Sequence, residues 1–487
     1  MRLKDFPFFL FLLPVYFFIF NSTGYLFHFS FDELKIFLIL YAVVFLIFFV
    51  NYFFRKFYKS LVICEFLFFF FFLFFGNIKD SFVDIPFLYS YKILIALLVL
   101  IPGLNFLLLK KKETYSENQF QFLNKLLPIL IGIQLFLFIK QMPQTGNLQT
   151  PQFEKSTKSK HPNIHLILLD AYPGFVSLKN HFHYDNEELK QYFLQNNCYV
   201  FDTIYSNYKQ TYYSINSLLN MQYISYLDSN HIKKYSTILQ QTSEINQNVL
   251  VKLLQQNGYH FYNNSIFKVG DKMPINSQLK FSTFDKLLIR NIFWNRFIND
   301  NLWRFTQGRL KINSVYDQLV LGQFYQIQHQ ITDAKNVKNE SPAFTYTHLL
   351  MPHEPYFTDS VGNLKMNISE NETTEEERFI EYLKYTNLEL KKIFHQIKSQ
   401  DSTALIIMMS DHGYRSYTNS ADSTAAFNNL LILYSQQLNP THLSKIHSNV
   451  NLFRMIANDF FNQNLPFLPD TLFDINEGAA MIQRISL

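Results

Sequence analysis

Cysteine is almost missing from this chain: only Cys64 and Cys198 occur in 487 residues. One stands in an apolar segment and the other far downstream, so no disulfide framework holds the fold. Internal repeats are also lacking, which sets aside solenoids and repeat arrays. No small-residue cleavage site follows the first apolar stretch, which is therefore expected to stay attached rather than act as a removable signal peptide. A basic excess is missing where nucleic-acid binding would need it. The first 140 residues hold 13 Lys and Arg against 8 Asp and Glu, and the rest of the chain holds 30 of each. The surplus positive charge belongs to the amino-terminal part, and nucleic acid is not an expected partner.

What is abundant is aromatic and apolar. The chain carries 55 Phe and 30 Tyr, with Phe crowded into the first third. Five apolar segments follow one another there: Phe6 to Phe29, Ile36 to Phe54, Leu61 to Phe75, Ile93 to Leu109 and Leu126 to Ile139. Each approaches the ~20 residues that cross a hydrocarbon core as a helix, although the third and fifth are short and the third carries Glu65. Lys and Arg flank them asymmetrically. Arg2 and Lys4 precede the first; Arg55, Lys56 and Lys59 separate the second from the third; Lys110, Lys111 and Lys112 separate the fourth from the fifth. Positively charged flanks stay in the cytoplasm, so the amino terminus is expected inside and everything after Lys140 outside.

Between Lys140 and Pro162 the chain turns to Gln, Thr, Ser, Lys and Pro, a composition suited to a tether and unable to bury a core. The expected organisation is a five-helix transmembrane domain over 1–140, a linker over 141–162 and an extracytoplasmic domain over 163–487. The last, at about 325 residues, can bury its own core without cross-links.

In this outer part, short apolar runs alternate with helical patterns. Strands are predicted at Ile164–Leu169, Tyr199–Ile204, Tyr259–Tyr262, Phe344–Leu350, Ala404–Met409 and Leu430–Tyr434. Helices are predicted over Asn186–Gln195, Ile245–Gln256 and Thr374–Ser399, the last opened by a capping box of Thr373 and Glu376. Such alternation means an α/β fold, a central sheet with helices on both faces.

Several strand ends carry chemistry. The run Ala404–Met409 stops on Ser410, Asp411, His412 and Gly413, and ligands in α/β sheets bind beyond the carboxyl ends of strands. An adjacent Asp and His offer one hard oxygen and one imidazole nitrogen, half a metal site. The first run ends likewise on Asp170. In "YSNYKQTYYSINSLLNMQY", Thr211 stands where a polar loop enters a helix. A hydroxyl there meets free N–H groups and the positive end of the dipole, although Thr is also a common cap. In "THLLMPHEPYF", His348 and His353 bracket a further strand end.

These pieces stand in a recognisable order. From about Pro162 to Asn458 the chain resembles the alkaline phosphatase superfamily, in its membrane-anchored branch of sulfatase-like proteins, lipoteichoic acid synthases and phosphoethanolamine transferases. The resemblance implies an alkaline-phosphatase-like sandwich with a mostly parallel central sheet. It implies Asp170, Thr211, Asp411 and His412 as ligands of one divalent metal, Zn²⁺ or Mn²⁺ first, with Mg²⁺ or Ca²⁺ also compatible. Thr211 would be the nucleophile, and His353, with His348, would contact the substrate. The spacing agrees: Thr211 precedes "SLLNM" by six positions, as the reactive residue precedes "SLLTG" in sulfatases. Two departures count against sulfate-ester hydrolysis. Thr211 cannot be oxidised to formylglycine and lacks the x-Pro-x-Arg that follows a sulfatase nucleophile, and Ala171 replaces the usual second acid of the first motif. The expected activity is phosphotransferase or phosphodiesterase chemistry on a lipid or glycan headgroup at the outer face of the cytoplasmic membrane. The alternatives are a sulfatase working without formylglycine and a non-catalytic sensor or scaffold.

Overall fold

A computed structural model describes residues 3–22, 31–53, 57–82, 85–111, 113–141, 151–158, 160–224, 236–272, 289, 291–297, 342–354, 356, 358–363, 374–415, 424–476 and 481–487. They form two compact units, one of residues 1–142 with 278–308, the other of residues 143–277 with 309–487.

The first unit is helical, with helices at Phe8–Ser22, Phe31–Phe53, Tyr58–Leu73, Tyr91–Lys111 and Glu113–Gln141. Among the described residues, three stretches are long and apolar enough to cross a membrane: Leu34–Asn51, Tyr91–Lys111 and Thr114–Leu137. Phe8–Asn21 is a shorter apolar helix. The Tyr58–Leu73 helix, at 16 residues, reaches only about 24 Å. Ile289 and residues 291–297, which the sequence pattern assigns to the second domain, pack here. Ile289 and Ile292 join the helix core, Asn291 O accepts from Gly76 N at 2.7 Å, and Arg296 makes a two-pronged ion pair with Asp80.

The second unit is built on a six-stranded sheet of order β2-β6-β5-β1-β4-β3. Its strands are β1 Ile164–Asp170, β2 Tyr199–Val200, β3 His260–Asn264, β4 Ala343–Pro352, β5 Leu405–Ser410 and β6 Leu431–Tyr434. β1 is parallel to β4 and β5, β3 is parallel to β4, and β6 is antiparallel to both β5 and β2. All six predicted strands are present, the second shortened to Tyr199–Val200, and the sheet is mostly parallel as expected, with β6 antiparallel to both its neighbours. The strand period of two explains the layers. Leu166 and Leu168 with Leu405, Ile407 and Met409 face one core, closed by the helices Thr211–Asn220, Val249–Gln256 and Leu452–Phe461. Ile167 and Leu169 with Ile406 and Met408 face the other, closed by Glu187–Gln195 and Glu375–Gln400. Burial on both faces accounts for the unbroken apolar run in β5.

Local details shift. The capping box sits one residue later than the spacing suggests: Thr374 Oγ1 accepts from Glu377 N, and Glu377 Oε2 accepts from Thr374 N, while Thr373 lies outside the described residues. The predicted helix Ile245–Gln256 is two, Ser236–Asn246 and Val249–Gln256, because Asn248 caps the second through Val251 N. The linker is no free tether from residue 151 onward, since Glu154 and Ser156 donate backbone N–H groups to Gln463 and Asn257. A hairpin of β7 Thr471–Asn476 and β8 Met481–Ser486 ends the chain.

Candidate metal centre and nucleophile

The site grows from the carboxyl ends of β1, β4 and β5, three neighbours in the sheet. β5 runs into a turn held by buried polar groups. Ser410 Oγ donates to Tyr172 O at 2.6 Å, and Asn429 Nδ2 donates to Ser410 O at 2.6 Å. Asp411 follows, fully buried. Its Oδ1 accepts two backbone N–H groups, from Ala171 at 3.1 Å and His412 at 2.8 Å. Ala171 has φ 60°, a left-handed conformation that costs a non-glycine residue about 1 kcal/mol, and the sharp turn after Asp170 aims its amide at Asp411. Oδ2 of Asp411 and Oδ1 of Asp170 remain buried with no hydrogen-bond partner among the described residues.

His412 completes the arrangement. Its Nδ1 lies 2.7 Å from Gly413 O, which only accepts, so Nδ1 carries the ring proton and Nε2 presents a lone pair. That lone pair faces Asp411 Oδ2 at 3.4 Å, Asp170 Oδ1 at 3.7 Å and Thr211 Oγ1 at 3.3 Å. Carboxylate oxygens and an imidazole lone pair repel when buried together, and a cation among them converts the repulsion to ligation. His348 joins the same cluster: ligand atoms of Asp170, His348 and Asp411 all lie within 4.8 Å of one another. It stands on β4 opposite Leu168, at zero exposure, with its ring centroid 6.3 Å from that of Tyr346 and 6.2 Å from that of Phe267. The family resemblance points His348 at the substrate; the fold puts it beside the carboxylates.

The electrostatics agree. Burial, reinforced by the neighbouring Asp411 charge, pushes Asp170 up to about 7. Burial pushes both His348 and His412 down to about 4, so both imidazoles are neutral at pH 7, the form that binds metal. Two carboxylates, imidazole nitrogen and a hydroxyl form a mixed oxygen and nitrogen donor set that fits a divalent cation.

Gly413 is needed where it stands. A Cβ there would lie 2.3 Å from Asn428 O and 3.1 Å from the Ala425 and Ala426 carbonyls. Gly413→Ala is therefore expected to displace the turn carrying His412, lowering stability by about 1–3 kcal/mol and weakening metal retention. Denaturant titration with metal analysis checks this; unchanged values in both would show that the turn yields freely.

Thr211 opens the helix Thr211–Asn220 after a loop that the terminal hairpin clamps. Tyr208 stacks on Phe473 at 5.1 Å, Lys209 pairs with Asp474 at 2.6 Å, and Gln210 Nε2 donates to Ile475 O at 2.8 Å. Neighbouring hydroxyls are committed elsewhere: Ser206 Oγ donates to Tyr208 O, Ser214 Oγ to Asp411 O and Ser217 Oγ to Gln222 O. His353 lies at the rim, half-buried. Its Nδ1 is 2.8 Å from Glu354 O, and Arg415 donates to its Nε2 at 3.0 Å.

A family model described as Sulfatase matches residues 162–460. The chain belongs to the sulfatase family. Among solved structures it is similar to the C-terminal periplasmic domain of EcEptC from Escherichia coli. The identity is 12% and the TM-score 0.42, over 68% of this chain and 93% of that one. It is similar also to the integral membrane protein lipooligosaccharide phosphoethanolamine transferase A from Neisseria meningitidis, at 13% identity and TM-score 0.38, over 76% and 68% of the two chains. A third is an alkaline phosphatase superfamily protein from Vibrio parahaemolyticus, at 11% identity and TM-score 0.39, over 72% and 89%. No curated protein matches the chain. For a sulfatase-family site, two features are out of reach of the sequence pattern. Arg415 stands only three residues past His412, but nothing local links it to His353. The hairpin lies beyond the matched segment, and its strands carry no motif.

Proposed function

We propose that the protein is a membrane-anchored, metal-dependent phosphotransferase or phosphodiesterase that handles a lipid or glycan headgroup through Thr211. The observation that carries this is Thr211 Oγ1 beside His412 Nε2 while Ser206, Ser214 and Ser217 donate to backbone carbonyls. Asp170, Asp411, His412 and the Thr211 oxygen would hold one ion, Zn²⁺ or Mn²⁺, with His348 as a further nearby donor. Such an ion lowers the pKa of a hydroxyl and draws charge from a phosphoryl oxygen. The Thr211 hydroxyl loses its proton and its oxygen forms the new bond to phosphorus. The ester bond to the departing alcohol breaks, and that oxygen keeps the electron pair and takes up the proton that Thr211 released. Water or a second alcohol then attacks the phospho-threonine and restores Thr211. The amino-terminal turn of the Thr211–Asn220 helix offsets the charge on the non-bridging oxygens, while both ring nitrogens of His353 are engaged, by Glu354 O and Arg415. Incubating the protein with membrane lipids and seeking phosphorylated Thr211 by mass spectrometry tests the reading; an unmodified Thr211 under turnover contradicts it.

We place the second unit outside the cytoplasm, at the outer face of the cytoplasmic membrane. Support comes from the Lys and Arg asymmetry, and from residues 291–297 packing on Gly76, Asp80 and Tyr91, around the loop that this asymmetry leaves outside. A reporter fused after Lys140 should be active only outside the cytoplasm. Cytoplasmic activity would mean that one short span, the Tyr58–Leu73 helix first, does not cross.

A further inference from the structure

The loops after β4 and β5 meet at the rim of the site in one contact between His353 and Arg415. A carbonyl only accepts and a guanidinium only donates, so Glu354 O fixes the His353 ring proton on Nδ1 and Arg415 engages the bare Nε2. The bond uses one N–H of Arg415, and among the described residues no other hydrogen bond or ion pair engages its exposed, planar fork. Arg415 follows His412 by three residues on the loop after β5, so an exposed cation stands beside the strand ends that carry Asp170 and Asp411.

We infer that Arg415 is a substrate-binding residue, which takes the non-bridging oxygens of a phosphodiester bound over Thr211 and is held in register by His353. A guanidinium fork matches two coplanar oxygens, as a phosphodiester presents them, and does so bidentately where an ammonium cannot. The inference rests on the phosphoryl-transfer reading above, and adds to it the charge-bearing group that the substrate must offer at the rim.

Binding is read apart from turnover to test it. The full chain in detergent, carrying Thr211→Ala and stoichiometric Zn²⁺, is titrated calorimetrically with inorganic phosphate. Adding Arg415→Ala should weaken phosphate binding about tenfold or more, the effect of losing a charge-assisted hydrogen bond, and Arg415→Lys should fall between. Metal content should be the same in all three, which a general loss of structure would not allow. In the otherwise unaltered chain, Arg415→Ala should raise KM for bis(p-nitrophenyl) phosphate more than it lowers kcat. Phosphate affinity unchanged by Arg415→Ala, or no phosphate binding to the Thr211→Ala protein, overturns the inference. Turnover by Thr211→Ala at the parent rate would instead sink the nucleophile assignment alone, since phosphate binding is measured without it.

Discussion

Thr211→Ala should abolish turnover, by roughly 10⁴–10⁶-fold as expected when a nucleophile is removed from an intact site. The fold should survive, because Thr211 is half-buried at the start of its helix and supplies no side-chain cap. Metal should also be retained, since Asp170, Asp411 and His412 remain. Thr211→Ser keeps the hydroxyl and loses only a methyl, so measurable activity should persist. Ser214 cannot take over: its hydroxyl is spent on Asp411 O at 2.5 Å, one turn further along the helix. Steady-state rates on a phosphodiester, together with mass spectrometry of the Thr211 peptide, decide the matter. Parental turnover by Thr211→Ala would remove the covalent mechanism altogether.

Asp411→Ala and His412→Ala should each lose bound metal, with affinity falling by more than the roughly 10–100-fold that even outer partners of a metal site cost. The two losses differ in kind. Asp411→Ala also strands the N–H groups of Ala171 and His412, which now converge on Oδ1, so some loss of stability is expected with it. Asp411→Asn keeps an acceptor there and isolates the charge. His412→Ala removes the ring partner of the Gly413 carbonyl and of the Thr211 hydroxyl and strands no backbone N–H at Asp411 Oδ1. Metal analysis after desalting, with circular dichroism to confirm folding, measures both. Parental metal content in both variants would put the ion elsewhere.

Much of this is legible at short range. Burial on both faces writes itself as an unbroken apolar run, which is why β1 and β5, and the acids at their ends, can be placed from the amino-acid pattern. Thr211 is reachable because a helix start and a six-residue spacing are properties of one stretch. Local reading fails where two registers satisfy the same rule: Thr373 with Glu376 and Thr374 with Glu377 are both capping boxes by spacing, and only the true helix start separates them.

The order of elements, the α/β class, the apolar amino-terminal helices and the likeness to the sulfatase family were determined by the sequence alone, because each depends on composition or period within a few tens of residues. The tertiary structure decided the rest. His348 joined the carboxylates because β4 pairs with β1 at Leu168, a register between strands about 180 residues apart. Arg415 met His353 because the loops after the two strands that flank β1 converge, and the hairpin reached the Thr211 loop from the far end of the chain. Contacts of this kind are set by packing across the sheet, and sequence periodicity carries no trace of them.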